Sequence, residues 1–590
     1  MRSVCRPEWR PRDRIRFGGC DQTRNMTTTE TTTSLVRNRL GSALSHVRRL
    51  VHGANWASAP GGLRRDLRNR VRPLFLLGAG LTSALVSVAA SPQGSYREPF
   101  RAQYHFTPEK NWMNDPNGMV FYEGEYHLFY QYNPVGDKWG HMSWGHAVSP
   151  DMVHWTHLPL ALPEADNVMI FSGSAVVDWK NSSGFGKDGR PPLVAVYTGF
   201  RTTDRVQFQC IAYSNDKGRT WTKYSGNPVI DINSTDFRDP KVQWHEATRR
   251  WIMTVSLSAE HKVRFYGSDN LKAWTLLSEF GPAGATGGVW ECPDLFELPL
   301  PGTNDKRWVL VVNMNPGSVA GGSGGQYFIG RFDGTQFVAD RDSLIPPTSG
   351  RLASESAHWF DYGPDYYAAV SWSDVPASDG RRLWLGWMSN WEYGGDVPTS
   401  PWRSAMSIPR EVGLRRTAEG IRLVQKPARE MESLRDRHFA FKSGDLSEAN
   451  AWLKERHVQG DQLELMVEFE PRSSGTEGVK VLKSDTEATV IGVDRQRGYA
   501  FLDRTQSGNV RFHQKFSGVY DAPLPVHDGR VKLHVFVDAS SVEVFVNDGE
   551  RVFTSLVYPS AASRGVEFFG SMTSARITSL NVWTLKSIWK

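Results

Sequence analysis

The chain has 590 residues, more than one typical domain, so two large domains are expected. Its formal net charge of +6 hides an asymmetry, because residues 1–73 hold 16 Arg, no Lys and 5 acidic residues (16 − 5 = +11), which leaves 6 − 11 = −5 for the remainder. This distribution excludes a nucleic-acid-binding body, and a total of 4 Cys excludes a fold that depends on many disulfides.

The first 90 residues are predicted to serve export. Residues 1–73 are rich in Arg, Thr and Ser, and we interpret them as a disordered leader. Residues 74–90 are uncharged, follow Arg residues and end in small residues, which is typical of a secretory signal peptide. We therefore expect a secreted, extracellular protein. An uncleaved N-terminal anchor of 17 residues is the alternative, and no membrane association is expected beyond this segment.

Residues 100–425 form a succession of short β-type runs separated by Gly, Pro, Asn and Asp. A weak repeat, in which a polar turn leads to Trp-Thr, occurs at Ser149–Trp155, Ser214–Trp221 and Ser268–Trp274. Its spacing suits four-stranded units of about 60 residues, and about five such units fit the segment. The pattern predicts a five-bladed β-propeller, and a large β-sandwich is the alternative.

A short helical connector is predicted near residues 427–434. Beyond it, residues 435–590 contain alternating strands at regular spacing, with turn signals such as Asn547-Asp548-Gly549. This pattern predicts a second all-β domain, most simply a β-sandwich. The fold class is therefore all-β, a propeller followed by a sandwich.

Three acidic residues share an unusual local pattern: Asp115 and Asp239 directly precede a Pro, and Glu291 lies one residue short of one. Each stands at the beginning of an apolar run. The separation of Asp115 from Asp239 suits two repeat units, and that of Asp239 from Glu291 suits one. Because the inner strands of a propeller line a common channel, we expect the three carboxylates to converge there. Repulsion and burial should raise the pKa of one of them, while Arg238 is expected to keep the neighbouring Asp239 ionised.

Three carboxylates without a metal cluster suit glycoside hydrolysis, in which one is the nucleophile, one donates a proton and one holds substrate hydroxyls. Aromatic and amide side chains near the first acid support a sugar ligand: Trp112, Trp139, Trp144, Asn114, Gln131 and Asn133. For most of the 22 Trp, core packing is the simpler interpretation.

Other chemistries find no support. The run 321–325 matches G-x-S-x-G but lacks a strand-turn-helix setting, so we interpret it as a flexible loop. The His residues lack the spacing of a metal site, and no phosphate-binding loop precedes a helix. We therefore predict neither a metal nor another cofactor.

Six ordered motifs resemble those of glycoside hydrolase family 32, the invertases, exo-inulinases and levanases. They are Trp112-Met-Asn-Asp-Pro-Asn-Gly118, Gln131-Tyr-Asn-Pro134, Trp144-Gly-His146, Phe171-Ser-Gly-Ser174, Phe237-Arg-Asp-Pro240 and Trp290-Glu-Cys-Pro-Asp294. The segments 387–391 and 397–403 look most like the exo-inulinase and levanase branch. The resemblance covers the chain from about residue 100 to its end.

The resemblance implies a five-bladed propeller followed by a β-sandwich, and retention of anomeric configuration. It further implies that Asp115 is the nucleophile, Asp239 the transition-state stabiliser and Glu291 the acid/base. The residues that it assigns to the terminal fructosyl unit are Trp112, Met113, Asn114, Gln131, Trp139, Phe171, Ser172, Arg238 and Trp391.

The expected function is hydrolysis of terminal β-D-fructofuranosides in levan, inulin or sucrose, with release of fructose. A fructosyltransferase is one alternative, because sugar rather than water could accept the fructosyl group. A catalytically inactive fructan-binding protein is the other. The sequence does not indicate an oligomeric state.

Overall fold

The structure is a computed structural model that describes residues 96–345, 356–471, 475–524, 529–571 and 575–589. The predicted leader, 1–73, and the predicted signal segment, 74–90, lie outside the described residues. Among the described residues, no helix is long and apolar enough to cross a membrane.

Five small sheets follow one another between residues 111 and 427, and each is built around one inner strand. The strands of the first three sheets are β1 (Asn111–Tyr122), β2 (Glu125–Tyr132), β3 (Ser143–Ser149), β4 (Thr156–Leu162), β5 (Val168–Val177), β6 (Leu193–Arg201), β7 (Gln207–Ser214), β8 (Thr222–Lys223), β9 (Ile230–Ser234), β10 (Phe237–His245), β11 (Arg250–Leu257), β12 (Lys262–Ser268) and β13 (Thr275–Phe280). Those of the last two are β14 (Val289–Pro299), β15 (Lys306–Asn315), β16 (Gly324–Phe332), β17 (Phe337–Ala339), β18 (Tyr367–Ser371), β19 (Arg382–Met388), β20 (Trp402–Arg403), β21 (Ala405–Met406), β22 (Arg410–Thr417) and β23 (Gly420–Pro427). Short 3₁₀ helices lie at Ser258–Glu260 and Arg341–Ser343.

The five sheets close into a ring. The inner strands β1, β5, β10, β14 and β18 contact one another in that order, and β18 returns to β1. Strand β20 pairs in parallel with β1, which adds a piece of the last sheet's sequence to the edge of the first. The predicted five-bladed propeller is therefore confirmed, and a sandwich for this segment is excluded.

Every inner strand of the propeller departs from regular pairing at the same end. The register shifts between Met113 and Pro116 in β1, Ile170 and Gly173 in β5, Arg238 and Lys241 in β10, Glu291 and Asp294 in β14, and Tyr367 and Val370 in β18. A bulge of this kind bends the strand and re-aims a side chain. In the last three strands the bulge contains a residue with left-handed backbone: Asp239, Cys292 and Ala368, with φ of 66°, 45° and 53°.

The repeated Ser-containing turns connect the third and fourth strands of the first three blades. In each, the Ser hydroxyl accepts a hydrogen bond from the backbone N–H two residues later, at Asp151, Asp216 and Asn270. These side chains in turn accept from backbone groups of the turn, as expected for Asx and Ser turns. The predicted repeat is confirmed as the outer hairpin of a blade.

The first hairpin is confirmed, but its first strand begins earlier than predicted. The sequence predicts a tight turn at Asn117-Gly118, then a hairpin of residues 119–122 and 126–132 around Glu123-Gly124. The structure has this hairpin and its turn, but strand β1 already begins at Asn111. Asn117-Gly118 is not a turn, because a second register shift between Asn117 and Val120 absorbs the positive φ of Gly118. A Cβ atom on Gly118 would lie 2.6 Å from the ring of Phe129, so Gly is required by packing as well.

The second domain is a two-sheet sandwich, reached through a 3₁₀ helix at Arg429–Leu434. Its strands are β24 (Arg435–Phe441), β25 (Gly444–Asp445), β26 (Leu463–Glu470), β27 (Thr476–Lys483), β28 (Ala488–Asp494), β29 (Tyr499–Gln506), β30 (Val519–Pro523), β31 (Val531–Asp538), β32 (Ser541–Val546), β33 (Arg551–Leu556), β34 (Gly565–Phe569) and β35 (Arg576–Leu585). One sheet has the order β24-β35-β26-β31-β32-β33, with β25 on β35, and the other has the order β30-β29-β28-β27-β34. The predicted sandwich is confirmed. The predicted domain limits, 100–425 and 435–590, stay predictions.

One helix of the second domain, α1 (Leu446–Glu455), was not predicted. Its signal is a capping box, because Asp445 accepts from the N–H of Glu448 and the Glu448 side chain accepts from the N–H of Asp445. Leu446, Ala449 and Leu453 then face the sandwich core.

Candidate active site

The three predicted acids meet at one end of the propeller axis. Asp115, Asp239 and Glu291 lie at the bulges of β1, β10 and β14. The Cys292 sulfur lies 3.5 Å from Asp115 Oδ2 and 3.6 Å from Asp239 Oδ2, which joins the first two directly and brings its neighbour Glu291 beside them. Burial and these carboxylates raise the pKa of the Cys292 thiol well above its ordinary value, so the thiol stays protonated and is a donor.

Asp115 is buried and accepts hydrogen bonds on both oxygens. Asn114 Nδ2 donates to Oδ1 at 3.0 Å, and the Ser172 hydroxyl donates to Oδ2 at 2.6 Å. The indole N–H of Trp112 donates to Asn114 Oδ1 at 2.7 Å and thereby fixes which way the amide points. Burial raises the pKa of Asp115, with the charge of Glu291 adding to it, while the Ser172 and Asn114 donors oppose the rise.

Asp239 is held by hydrogen bonds to both neighbouring blades, one to a side-chain hydroxyl and one from a backbone N–H. Its N–H donates to the Thr198 hydroxyl at 2.9 Å, and its Oδ2 accepts from the Cys292 N–H at 2.9 Å. Burial, together with the charges of Glu291 and Asp115, raises the pKa of Asp239 to about 7, although the positive charge of Arg238 works against the rise.

Glu291 is the most accessible of the three carboxylates and is held on both oxygens. Arg238 Nε donates to Oε1 at 2.9 Å, and the Tyr367 hydroxyl donates to Oε2. The expectation that Arg238 would keep Asp239 ionised is therefore wrong, because the guanidinium bonds to Glu291 and the pKa of Asp239 still rises. The remaining bonds of Arg238 go to Gln207 and Asp236, each at 3.3 Å.

Aromatic side chains stand around this end of the channel in two groups. Trp112 lies with its ring 5.8 Å from that of Trp391, which is half-buried. Across the opening, Phe171 stacks on Phe200 at 4.6 Å and meets the edge of Trp139 at 6.1 Å. Trp139 is 46% exposed, so it marks the mouth of the funnel, while Trp112 is buried near its base.

Other predicted residues lie deeper. Gln131 is buried and donates to the carbonyl of Ile170 at 3.0 Å, which ties the first blade to the second. Met113 is wholly buried in the apolar core and presents no surface to the channel. Trp144 is likewise in the core, and Asn133 is used by its own turn, to Lys138 and Val135. The predicted part of Met113 in substrate binding stays a prediction.

Two residues of the site were missed by sequence reasoning. Cys292 stands inside the Trp290–Asp294 motif, but the motif gives its sulfur no role; in the structure Cys210 and Cys292 are both buried and free. Tyr367 lies in a stretch of aromatic residues, 366 and 367, that carried no signal beyond strand propensity. Tyr367 lies at the bulge of the fifth inner strand, the position that the acids occupy in their own strands. This equivalence is seen only when the five blades are arranged in a ring.

Ser323, the centre of the G-x-S-x-G run, supports the site indirectly. It is buried, and its hydroxyl accepts from the Trp391 N–H at 2.9 Å and donates to Asn315 at 3.2 Å. It thus fixes the Trp391 loop, and its hydroxyl is engaged in these two hydrogen bonds. Within the described ranges, no group of three or more His, Cys, Asp or Glu side chains is arranged to hold a metal ion.

Comparison with family models identifies both domains. Residues 105–427 match the Glycosyl hydrolases family 32 N-terminal domain, and residues 430–584 match the Glycosyl hydrolases family 32 C terminal. Together the two matches cover the propeller and the sandwich.

Individual relatives agree. The chain is 50% identical over 529 residues to a levanase from Bacillus subtilis (strain 168), covering 89% of this chain and 76% of that protein. It is 42% identical over 527 residues to an extracellular exo-inulinase from Aspergillus awamori, covering 84% and 96%. The crystal structure of exo-inulinase from Aspergillus awamori superposes with a TM-score of 0.76 at 40% identity, covering 84% of this chain and all of that one.

Proposed function

Because the chain belongs to glycosyl hydrolases family 32, we propose that it is an exo-acting β-fructofuranosidase that releases fructose from the ends of fructans and from sucrose. The observation that carries the proposal is the meeting of three carboxylates around Cys292 at the base of an aromatic funnel. The names of the relatives, a levanase and an exo-inulinase, support fructans as the substrate class.

The base of the funnel is closed, which favours attack on a chain end. Below the acids, Lys241 Nζ donates to the carbonyl of Ser371 and lies 3.8 Å from Asp294, whose Oδ2 accepts from the Ser371 N–H at 2.7 Å. This buried link joins the inner strands β10, β14 and β18. We infer that it leaves no passage for a polymer, so that a terminal unit is the part that reaches the acids.

In the first step we assign Asp115 as the nucleophile and Glu291 as the general acid. A carboxylate oxygen of Asp115 forms a bond to C2 of the fructosyl unit while the bond from C2 to the leaving oxygen breaks. Glu291 transfers its proton to that oxygen. The Ser172 and Asn114 donors stabilise the ionised Asp115, which the attack requires.

In the second step Glu291, now a carboxylate, takes a proton from water, and the water oxygen attacks C2. The bond from C2 to Asp115 breaks and its electrons return to the carboxylate. Two displacements at C2 retain the anomeric configuration. The Arg238 and Tyr367 donors hold Glu291 in one place for both proton transfers.

Asp239 is assigned to the substrate hydroxyls. Because its pKa is raised to about 7 by burial and by the neighbouring carboxylates, it can both accept from and donate to hydroxyls near neutral pH. Such contacts stabilise the oxocarbenium-like state if they tighten as the ring flattens. Trp112, Asn114, Gln131, Trp139, Phe171, Ser172, Arg238 and Trp391 complete the proposed pocket, and Met113 would support it from behind.

The proposal is tested by measuring fructose released from sucrose, inulin and levan by the purified chain. We expect release from all three, and a loss of about 10²–10⁴-fold in kcat for Glu291→Gln with an unchanged circular dichroism spectrum. A similar loss is expected for Asp115→Asn. A wild-type chain inert on all three substrates would overturn the proposed function, and near-normal rates in the variants would overturn the assigned roles.

We also propose that the protein acts outside the cytoplasm. The signal-like segment 74–90 supports export, and one relative is named as extracellular. Fractionation of producing cells, with N-terminal sequencing of the exported form, tests this: we expect activity in the medium and a new N-terminus near residue 91. Activity confined to the cytoplasm would contradict it.

A further inference from the structure

A second cavity, of about 350 Å³, opens at the opposite end of the propeller axis. Its walls come from the later parts of the inner strands and from the segments after them, including Val177 of β5, Trp244 of β10, Leu295 of β14 and Asp374 beyond β18. The acids stand near the beginnings of these strands. The cavity therefore faces away from the funnel.

The two openings are separate. The Lys241–Ser371–Asp294 link lies between them, and Lys241 and Asp294 line the second cavity. A ligand there does not touch the three acids, so the cavity is not an extension of the site already described.

An exposed tryptophan stands at the rim. Of the Trp residues that the structure describes, two are exposed: Trp139 at the funnel and Trp179 here, which is 60% exposed. Trp179 is nevertheless fixed, because its indole N–H donates to Asp374 Oδ1 at 2.8 Å and Asp374 Oδ2 accepts from the Val177 N–H at 2.9 Å. Because Trp179 is both fixed and part of the cavity wall, its ring is available for stacking against a ligand in the cavity.

A second indole lies in the same wall. The Lys180 ammonium sits 4.3 Å from the ring centre of Trp244, and the Trp244 N–H donates to Glu246 at 2.6 Å. Both rings are thus oriented by polar partners. Because Lys180 lies over the Trp244 ring, the open aromatic face of this wall is that of Trp179.

The charges around the cavity cancel. Three cations and three acids line it: Lys180, Lys241, Arg382, Glu246, Asp294 and Asp374. A site built for an anion or a cation would show an excess of one sign. The exposed face of Trp179 with balanced donors and acceptors instead suits an uncharged ligand that has both apolar faces and many hydroxyls.

From this juxtaposition we propose that the cavity is a second carbohydrate-binding site, which holds a segment of the fructan polymer by stacking a sugar ring on Trp179. The identity of the sugar rests on the proposed function. Sucrose is too short to occupy both ends of the propeller, so the site acts on polymers by raising the enzyme's residence on the chain.

The test is native electrophoresis in gels with and without levan or inulin, using Asp115→Asn so that the polymer is not degraded. We expect the fructan to retard this variant, and Asp115→Asn/Trp179→Ala to lose most of that retardation. Asp115→Asn/Trp179→Phe should keep most of it, because it preserves an aromatic face. Undiminished retardation with Trp179→Ala, or equal loss with Trp179→Phe, would overturn the proposal.

Rates separate this proposal from the proposed function. In the active chain, Trp179→Ala should leave kcat and KM for sucrose unchanged and raise the half-saturating concentration of levan or inulin about 3–10-fold, roughly 0.7–1.4 kcal/mol of binding. Val338→Ala, at another exposed apolar position, is the control and should change neither.

Unchanged kinetics of Trp179→Ala on polymers would overturn the second site while leaving the proposed hydrolase function intact. Absence of turnover on sucrose by the parent chain would instead count against the proposed function.

Discussion

At the residue scale, the site depends on side chains that hold other side chains. Tyr367 is buried and its hydroxyl donates to Glu291, while burial and nearby carboxylates raise the pKa of the phenol well above its ordinary value. The phenol therefore remains a donor throughout the working pH range. In the proposed mechanism, its contribution is to fix the position of Glu291 for two successive proton transfers.

Replacing Tyr367→Phe removes this hydrogen bond and no ring atoms. We expect kcat on sucrose to fall about tenfold, the equivalent of one hydrogen bond to a charged group, with KM within about twofold of the parent. Tyr366→Phe is the control, because this neighbouring phenol lies in a different core cluster and its loss should leave kcat unchanged. Steady-state kinetics decide; equal effects of the two substitutions would show that Tyr367 is merely structural.

Asp239 links the site to stability. Its pKa is raised to about 7, above the ordinary value of 3.8, by burial and neighbouring charges. A raised carboxyl pKa means that the folded state binds the proton more tightly than the unfolded state. Ionisation of Asp239 therefore destabilises the folded protein, and this effect is absent below about pH 4 and complete above about pH 7. Asp239→Asn should therefore raise the melting temperature by about 2–4 °C at pH 8.5 and have little effect at pH 4. Thermal melts at the two pH values check this, and an equal gain at both would contradict it.

The sequence could predict the acids and not their partners. Asp115, Asp239 and Glu291 each precede or nearly precede Pro at the start of an apolar run, a pattern that is local and therefore readable. The contacts of Cys292 and Tyr367 join strands of different blades, far apart in the chain. Arg238 was assigned to its neighbour Asp239 because adjacency was the only guide, whereas the guanidinium reaches the next blade.

At the element scale, the five bulges determine where the site lies. Each inner strand loses register at the same height, so that five side chains are re-aimed into one funnel. The sequence predicted the strands and their repeat but not the bulges, since these depend on pairing with the second strand of each blade. It also missed helix α1, whose capping box was readable, because the surrounding segments all show the alternation of strands.

Gly173 lies next to the site residue Ser172 and also pairs with strand β6 of its own blade. A Cβ atom there would lie 2.1 Å from the backbone oxygen of Val196 in β6, so Gly173→Ala must push β5 away from its partner. Since Ser172 precedes it and bonds to Asp115, we expect a loss of about 1–3 kcal/mol in stability together with a lower kcat.

Gly413→Ala in β22 is the matched control, because its Cβ would meet only an ordinary contact at 3.8 Å. It should change neither stability nor rate appreciably. Chemical denaturation and initial rates on sucrose measure both quantities. A Gly173→Ala protein as stable and active as the control would show that the close approach has no functional consequence.

At the scale of the whole molecule, the propeller and the sandwich share a buried network of charges. His105, ahead of β1, bonds to Asp538 of β31 at 2.7 Å and to Glu543 of β32 at 2.9 Å. Glu543 also pairs with Arg410 of the last blade. Arg504 of the sandwich bonds in the same way to Asp365 of the propeller, at 2.6 Å. Leaving one of these charges unpaired in the interior would be costly, so the two domains should unfold together.

This network makes stability depend on pH. Burial opposes the charged imidazole, but the bonds to Asp538 and Glu543 outweigh it and raise the pKa of His105 to about 9 from 6.5. The stabilisation is complete below about pH 6.5 and is lost as the pH rises through 9, a change of about 3 kcal/mol. His105→Gln should reduce this decrease in the free energy of unfolding with pH, whereas His154→Gln, at an exposed position, should not. Urea unfolding at pH 6 and pH 10 measures the difference in the free energy of unfolding between the two pH values. If His105→Gln showed the same decrease as the parent, the pH dependence could not be assigned to His105.

The closed funnel and the three acids together predict attack on chain ends, and the order in which products form tests this most directly. The measurement is a time course of soluble products from levan and inulin, resolved by chain length from the first minutes. We predict fructose alone at early times, with the polymer shortening gradually. Early oligofructosides ahead of fructose would mean cleavage within the chain, and would contradict a pocket that admits only a terminal unit.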